Sequence, residues 1–213
     1  FGTTAMIVVL SVFNGFDNLV QNLYVNIDPD FKVELKQGEL FSIDDSLINK
    51  LNLLEGVNNY SRVLDYKMLA KHKDAQLVTA VKGVDINYPK INNIADEIFI
   101  GEYFSAQSGF VLVKQKVFYA LSLKLLDFES PLKLSFFNNK SSNLLEANNY
   151  LTTKSYYTTG VFKAPHSTQE GDIILNIKDL QNFLGMKGQY SSLEIDVAAQ
   201  NNNRAMHSQL ELI

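Results

Sequence analysis

Residues Val57 to Val84 constrain this chain more than any other stretch. They read as one long hairpin, with arms Tyr60 to Ala70 and Gln76 to Val84 around the polar turn Lys71-His72-Lys73-Asp74. Runs this rich in Val, Leu, Tyr and Ala at alternating positions, bounded by polar residues, favour paired strands. An isolated two-stranded hairpin is marginal in water, so the rest of the chain must supply strands and helices that cover it.

The flanking patterns supply them. Phe31-Lys-Val-Glu-Leu-Lys alternates as a half-buried strand does. Ser42 is placed as a helix N-cap with Asp44 and Asp45 in the first turn; Leu47, Leu51 and Leu54 form the apolar face, and Gly56 is the stop. After the hairpin, Pro89 and Asn92-Asn93 break the pattern. A short helix near Ile94, a strand at Ile98 to Ile100, a strand at Phe110 to Val113 and a short helix over Lys114 to Leu123 with Val117, Phe118 and Leu121 inward are expected next. Leu132 to Phe137 and Tyr156 to Phe162 are strands separated by the polar stretch NNKSSNLLEANN, read as an exposed loop or hairpin tip. Pro165 to Glu170 is a turn and Ile173 to Leu175 a strand. Asn176 caps a helix that carries Asp179 at its third position and ends at Gly185. Leu193 to Val197 is a strand, and a last helix begins near Asn201. The order β–α–β, a strand-rich middle, then β–α predicts an α+β fold in which the middle is inserted into the outer part.

The N-terminal 28 residues differ. No charge precedes Asp17, and Ala5 to Phe13 reads AMIVVLSVF. From Phe13 the apolar residues Phe16, Leu19, Val20, Leu23 and Tyr24 fall at helical spacing, and Asp28-Pro29 ends the pattern. The run is shorter than the roughly 20 residues a spanning helix needs, and no signal-peptide pattern is present. It suits either the tail of a membrane helix leaving the bilayer or a buried strand followed by a core helix. Both termini fall inside apolar patterns, so the chain is expected to be a piece of a longer protein.

Chemistry is sparse. The chain of 213 residues has a net charge of −4 and no cysteine. That excludes disulfides, a thiolate nucleophile and cysteine zinc sites, and it argues against a nucleic-acid partner. His72, His166 and His207 stand apart with no metal-ligand spacing; His72, in its Lys-rich turn, is read as solvated. No phosphate loop, nucleophile elbow or dinucleotide fingerprint is present. The pairs Asp44-Asp45 and Asp96-Glu97 fit a helix terminus and a solvated turn. Phe136-Phe137 and Tyr156-Tyr157 are read as split between the two faces of a strand. No catalytic residue, metal site or cofactor is assigned, and the expectation is a binding or mechanical module, not an enzyme.

Several collinear segments carry a resemblance. Thr4 to Phe16, TAMIVVLSVFNGF, resembles the end of the first membrane helix in LolC/LolE-type permeases of lipoprotein-releasing ABC transporters, within the MacB/FtsX-like permease superfamily. Asp28-Pro-Asp30 before a strand, Val81-Lys-Gly-Val-Asp85, Thr159-Gly-Val-Phe162 and the helix from Ile177 to Gly185 are similar to segments that follow in the same order. Gly101-Glu-Tyr-Phe-Ser-Ala-Gln fits the corresponding family motif only in part.

The resemblance favours the membrane reading of the N-terminus, with Ile7, Val8, Val9, Leu10, Val12 and Phe13 in the membrane helix. It implies residues 1–28 as helix end and amphipathic extension. Residues 29–85 and 189–213 become a Porter-like β–α–β subdomain, incomplete at its end, and 86–188 an inserted, mostly β Sabre-like subdomain. It implies a domain on the periplasmic side of a bacterial inner membrane, in a complex with a second permease subunit, the same or related, and a cytoplasmic ATPase reached through other parts of the protein. Release of a lipoprotein and its handover to a periplasmic chaperone would follow. A hook-like loop would make that contact, with Phe137, Leu144, Leu145, Tyr150 and Leu151 as partner-binding residues; the alternative is an ordinary exposed loop. MacB-type efflux, FtsX-type signalling and a membrane-anchored secreted module binding glycans or peptides are the competing functions.

Overall fold

The β-branched and aromatic residues of this chain are spent on strands that share one interior. A computed structural model of the protein describes residues 6–13, 29–54, 56–104, 108–137, 151–163 and 171–198. Eleven strands lie among them: β1 (Phe31–Glu34), β2 (Phe41–Ser42), β3 (Val57–His72), β4 (Ala75–Val84), β5 (Ile98–Gly101), β6 (Phe110–Lys114), β7 (Leu132–Phe137), β8 (Leu151–Phe162), β9 (Ile173–Asn176), β10 (Gln189–Tyr190) and β11 (Ser192–Val197). Residues 6–13 form helix α1. The other helices are α2 (Asp45–Leu53), α3 (Tyr88–Ile91), α4 (Gln115–Ala120) and α5 (Ile177–Leu184). The architecture is sheet-dominated α+β.

The predicted hairpin is its spine. β3 and β4 pair from Val63↔Val84 to His72↔Ala75, so the turn is two residues, Lys73-Asp74, rather than four. Lys73 takes the left-handed conformation that this tight reversal requires, at φ 51°. β4 continues to β9 in parallel, β9 to β6 antiparallel, β6 to β8 in parallel and β8 to β7 antiparallel. β7 then returns to β3 through Leu69↔Ser135 and Lys71↔Lys133. These six strands close into a ring. Leu64, Met68, Val81, Val113, Leu134, Tyr156 and Leu175 fill its interior, joined by Leu180 and Leu184 of α5 and Val117 of α4. β1 and β11 extend the sheet beyond the ring, with β11 between β1 and β3. A second core lies on the opposite sheet face, where Tyr88, Ile94 and Phe104 cover Val63, Val84, Leu112, Phe162 and Ile174. A third packs α2 on Leu193, Ile195 and Val197 through Leu51, Leu47 and Leu54.

Local signals settle most elements. Asn176 caps α5 by accepting from Lys178 N at 2.9 Å, and Gly185 ends it at φ 71°. The α2 cap is Asp44 instead of Ser42. The Asp44 carboxylate accepts from Leu47 N at 2.9 Å, while Ser42 pairs with Gln189 in a short strand. The helix expected near Ile94 lies at Tyr88–Ile91, because Pro89 occupies its first turn, where a missing N–H costs nothing. Residues 94–97 are a turn. The helix expected over Lys114 to Leu123 is confined to α4, since Lys114 belongs to β6. β8 begins at Leu151, five residues before its expected start. No helix among the described residues is long and apolar enough to cross a membrane. The expected amphipathic extension, the turn from Pro165 and the last helix lie outside the described residues.

Candidate functional site

Strand alternation places two kinds of surface on the outside of the ring. Toward the β4–β9–β6 side it is buried beneath the second core. Across β4, β3, β7 and β8 it is bare. There Gln76, Lys71, Lys133 and Ser155 form one cross-strand row, and Val78, Leu69, Ser135 and Thr153 form the next. Phe137 pairs with Leu151 one step further along β7 and β8. Phe137 and Val78 are each 71% exposed, and Leu151 is exposed as well. Lys67, Lys71 and Lys133 on this face are exposed, and none forms an ion pair among the described residues. Lys71 and Lys133 stand directly opposite each other, an arrangement that repels. Ser135 and Thr153 join their hydroxyls at 2.7 Å within the second row. The face is apolar at its centre and cationic around it, suited to a partner that brings apolar and acidic groups together.

The residues expected to contact a partner are thus placed in part. Phe137 and Leu151 meet as direct neighbours at the mouth of the β7–β8 hairpin. Leu144, Leu145 and Tyr150 lie outside the described residues. The expected facial split holds: Phe136 and Tyr156 point into the ring, while Phe137 is outside and Tyr157 half-buried. Ile7, Val8, Val9, Leu10, Val12 and Phe13 are all exposed along α1.

His72 reverses its expectation. It is buried, with Nδ1 at 2.8 Å from the carbonyl oxygen of Leu121, because the two-residue turn leaves it inside the last strand position. His166 and His207 lie outside the described residues, and no metal-binding cluster of His, Cys, Asp and Glu occurs among those described. Asp44 lies at the helix terminus, though as its cap and not in the first turn, and Asp96 is exposed in a turn, as expected.

Polar groups inside the sheet carry the strongest electrostatics. Lys82 of β4 and Glu194 of β11 meet at 2.9 Å beneath the second core, 2% and 1% exposed. Asn92 donates to the other Glu194 oxygen at 2.7 Å, and the Lys82 ammonium lies 5.5 Å from the Tyr88 ring centre. Nearby, Asp85 accepts from Ser61 Oγ at 2.8 Å and Arg62 N at 3.1 Å. Burial pushes the Asp65 carboxyl above its ordinary range, opposed by the charges of Lys82 and Lys32. Burial also raises the Tyr156 hydroxyl, with the Asp179 carboxylate adding to it. Asp179 itself pairs with Lys154 and accepts from Gly109 N at 3.0 Å. These groups lock strands to one another. The strands that carry Lys82 and Glu194 are legible in the sequence; that α3 and its neighbours cover this face is not.

No family model matches the chain, and no curated protein matches it significantly. Solved structures do. The extracellular domain of the noncanonical ABC-type transporter YknZ from Gram-positive bacteria aligns with a TM-score of 0.54 and 14% identity, covering 83% of this chain and 82% of that one. The periplasmic region of MacB from Actinobacillus actinomycetemcomitans aligns with 0.54 and 11%, covering 90% and 87%. A domain of a Porphyromonas gingivalis protein assigned as a permease aligns with 0.51 and 16%, covering 85% and 79%. The chain shares the fold of extracytoplasmic domains of ABC-type transporter permeases.

Proposed function

We propose that this chain is the extracytoplasmic domain of an ABC transporter permease that works in lipoprotein release, handing its cargo to a periplasmic chaperone. The observation that carries the transporter reading is the match in fold to two such domains over more than four-fifths of each chain. In this reading the domain stands on the periplasmic side of an inner membrane beside a second permease subunit, moved by a cytoplasmic ATPase. Residues 29–85 and 189–213 are the Porter-like part and 86–188 the inserted Sabre-like part. The exposed apolar row of α1 continues a membrane helix.

The handover reading is supported by the bare ring face. Phe137 and Leu151 stand where residues 138–150 leave and rejoin the sheet, beside lysines that form no ion pair among the described residues. In this reading Leu144, Leu145 and Tyr150 contact the partner, and the cationic rows orient an acidic one. Efflux and signalling permeases share this fold, so function is decided at the site. The test is a photo-crosslinking residue at Phe137 in the full-length permease in its native cells, with adducts identified by mass spectrometry. A periplasmic lipoprotein chaperone is expected. An adduct with an efflux adaptor or a cell-wall hydrolase regulator would replace the handover reading and leave the permease reading standing.

A further inference from the structure

The second core opens to a cavity at one end. β5 runs out at Gly101, and the chain continues through Glu102, Tyr103 and Phe104 beside Phe110 of β6 and Thr159 of β8. Leu125 and Leu126, from the connection between α4 and β7, complete the lining. The space enclosed is about 530 Å3, within the roughly 300–1,000 Å3 typical of ligand sites. Phe104 belongs to the buried core, while Tyr103 and Phe110 are half-buried. Tyr103 and Phe104 stack with ring centres 4.7 Å apart. The apolar surface runs on outside the cavity, from Phe110 to Tyr157 at 6.2 Å and from Tyr157 to Phe128 at 4.8 Å, and Phe128 is exposed.

One wall is strained and one polar group is uncommitted. Leu126 holds a left-handed φ of 49°, an unfavourable choice for a leucine and one that collects at ligand sites. Its N–H bonds to the Thr158 carbonyl oxygen at 2.9 Å, yet its side chain stays exposed. Glu102 N donates to the Thr159 carbonyl oxygen at 3.0 Å, and the Thr159 hydroxyl donates to the Val111 carbonyl oxygen at 3.3 Å. Burial raises the Tyr103 hydroxyl, with Tyr88 and Asp85 adding to it, so that group lies toward the second core. The Glu102 carboxylate is exposed and forms no ion pair among the described residues. Lys124, next to Leu125 in the chain, is outside the lining, and its charge falls on Asp127. An apolar chamber with aromatic rings and one unpaired carboxylate attracts a cation carried on an apolar body. A polyol would find too few polar partners there, and an anion would meet the wrong charge.

We propose that this cavity binds a small amphipathic ammonium. Its apolar body lies among Tyr103, Phe104, Phe110, Leu125 and Leu126, and its charged head sits at the Glu102 carboxylate. None of the residues of the partner face lines the cavity, so the site stands whether or not that face contacts a chaperone.

The probes are phenylbutylammonium, phenylbutanol and phenylbutyrate, which set a cation, a neutral group and an anion on one apolar body. Each is titrated into the 213-residue chain at neutral pH and followed by amide shifts. Saturable shifts centred on Glu102, Tyr103 and Leu126 are expected, with the ammonium binding about tenfold tighter than the alcohol and the carboxylate weakest. Glu102→Gln keeps an exposed position polar and should weaken the ammonium about threefold while leaving the alcohol unchanged. Glu102→Lys should put the carboxylate ahead of the ammonium. Leu126→Gly suits the left-handed backbone and removes a wall, so it should weaken all three probes and keep their order. Absence of saturable ammonium shifts at millimolar concentration would overturn the proposal. So would equal binding of ammonium and alcohol, an order that Glu102→Lys leaves unchanged, or a Leu126→Gly chain that binds the probes as the parent does.

Discussion

Glu194→Gln should be among the most damaging single-atom-scale changes in this fold. The substitution keeps the shape and an acceptor for Asn92 Nδ2, now 2.7 Å from a Glu194 oxygen. It removes the counter-charge of an ammonium that is 2% exposed. The nearby Tyr88 ring, 5.5 Å away, offsets little of that loss. Removing one partner of a buried pair costs up to about 3–5 kcal/mol, and the Asp65 carboxyl, directly opposite Lys82 across β3 and β4, offsets part of it. In a chain of 213 residues this corresponds to a fall in Tm of roughly 6–20 °C, at about 2–4 °C per kcal/mol. It approaches the whole stability of a marginal domain, about 5–15 kcal/mol. Lys82→Met strands Glu194 in the same way and should cost as much. The double variant Lys82→Met/Glu194→Leu removes both charges; it leaves the Asn92 amide short of an acceptor, about 1–3 kcal/mol, and takes the Lys82 charge away from Asp65. Urea unfolding of the four proteins, read by far-UV circular dichroism, measures the cycle. Single losses below about 1 kcal/mol, or a double loss equal to the sum of the singles, would refute the reasoning, because either requires Asp65 or water to replace Glu194 fully as the counter-charge of Lys82.

Three further outcomes follow from the same structure. Tyr156→Phe should be neutral or stabilising by about 1 kcal/mol in urea unfolding, since the Tyr156 hydroxyl is buried with no hydrogen-bond partner among the described residues. Asp65→Asn should gain stability relative to the parent as pH rises: the raised Asp65 carboxyl makes the parent's contribution fullest below the ordinary carboxylate range and lost as pH climbs through the folded value, and the asparagine removes that slope. Gly101→Ala should cost more than about 2 kcal/mol, because its Cβ would sit 2.1 Å from the Thr159 carbonyl oxygen at a φ of 78°; thermal melting checks it.

What the sequence disclosed here was local. Asn176 and Gly185 bracket α5 because a cap and a left-handed stop act within one turn of chain. Phe136 and Phe137 separate inside from outside because alternation needs only their own strand. The errors were local competitions decided by a few residues. Ser42 and Asp44 are both capping types, and the reach of Asp44 to Leu47 N chose between them. His72 lay among lysines, and only the turn length determines that Lys71 faces out while His72 faces in. On the partner face, Phe137 and Leu151 were legible as apolar residues out of place. Their pairing, and the lysine row beside them, needed the return of β7 to β3 over more than sixty residues.

The unreadable part has one physical origin, and it lies in the hairpin itself. β3 runs for 16 residues, while the strands available for its far edge, β11 and β7, have 6 each. A strand that long cannot be completed by either, so two elements distant in sequence must share it. β11 takes the end that is covered by α2, and β7 takes the end that closes the ring. Their paired registers end at Val63 and at Leu69, and between them Ser191 takes the Asp65 amide on its hydroxyl oxygen. The pattern of Val57 to Val84 thus already implied a junction somewhere along its length. Only the lengths and offsets of its partners decide that the junction falls between Val63 and Leu69, between a buried ion pair that fastens β11 to β4 and an exposed face on β3 and β7.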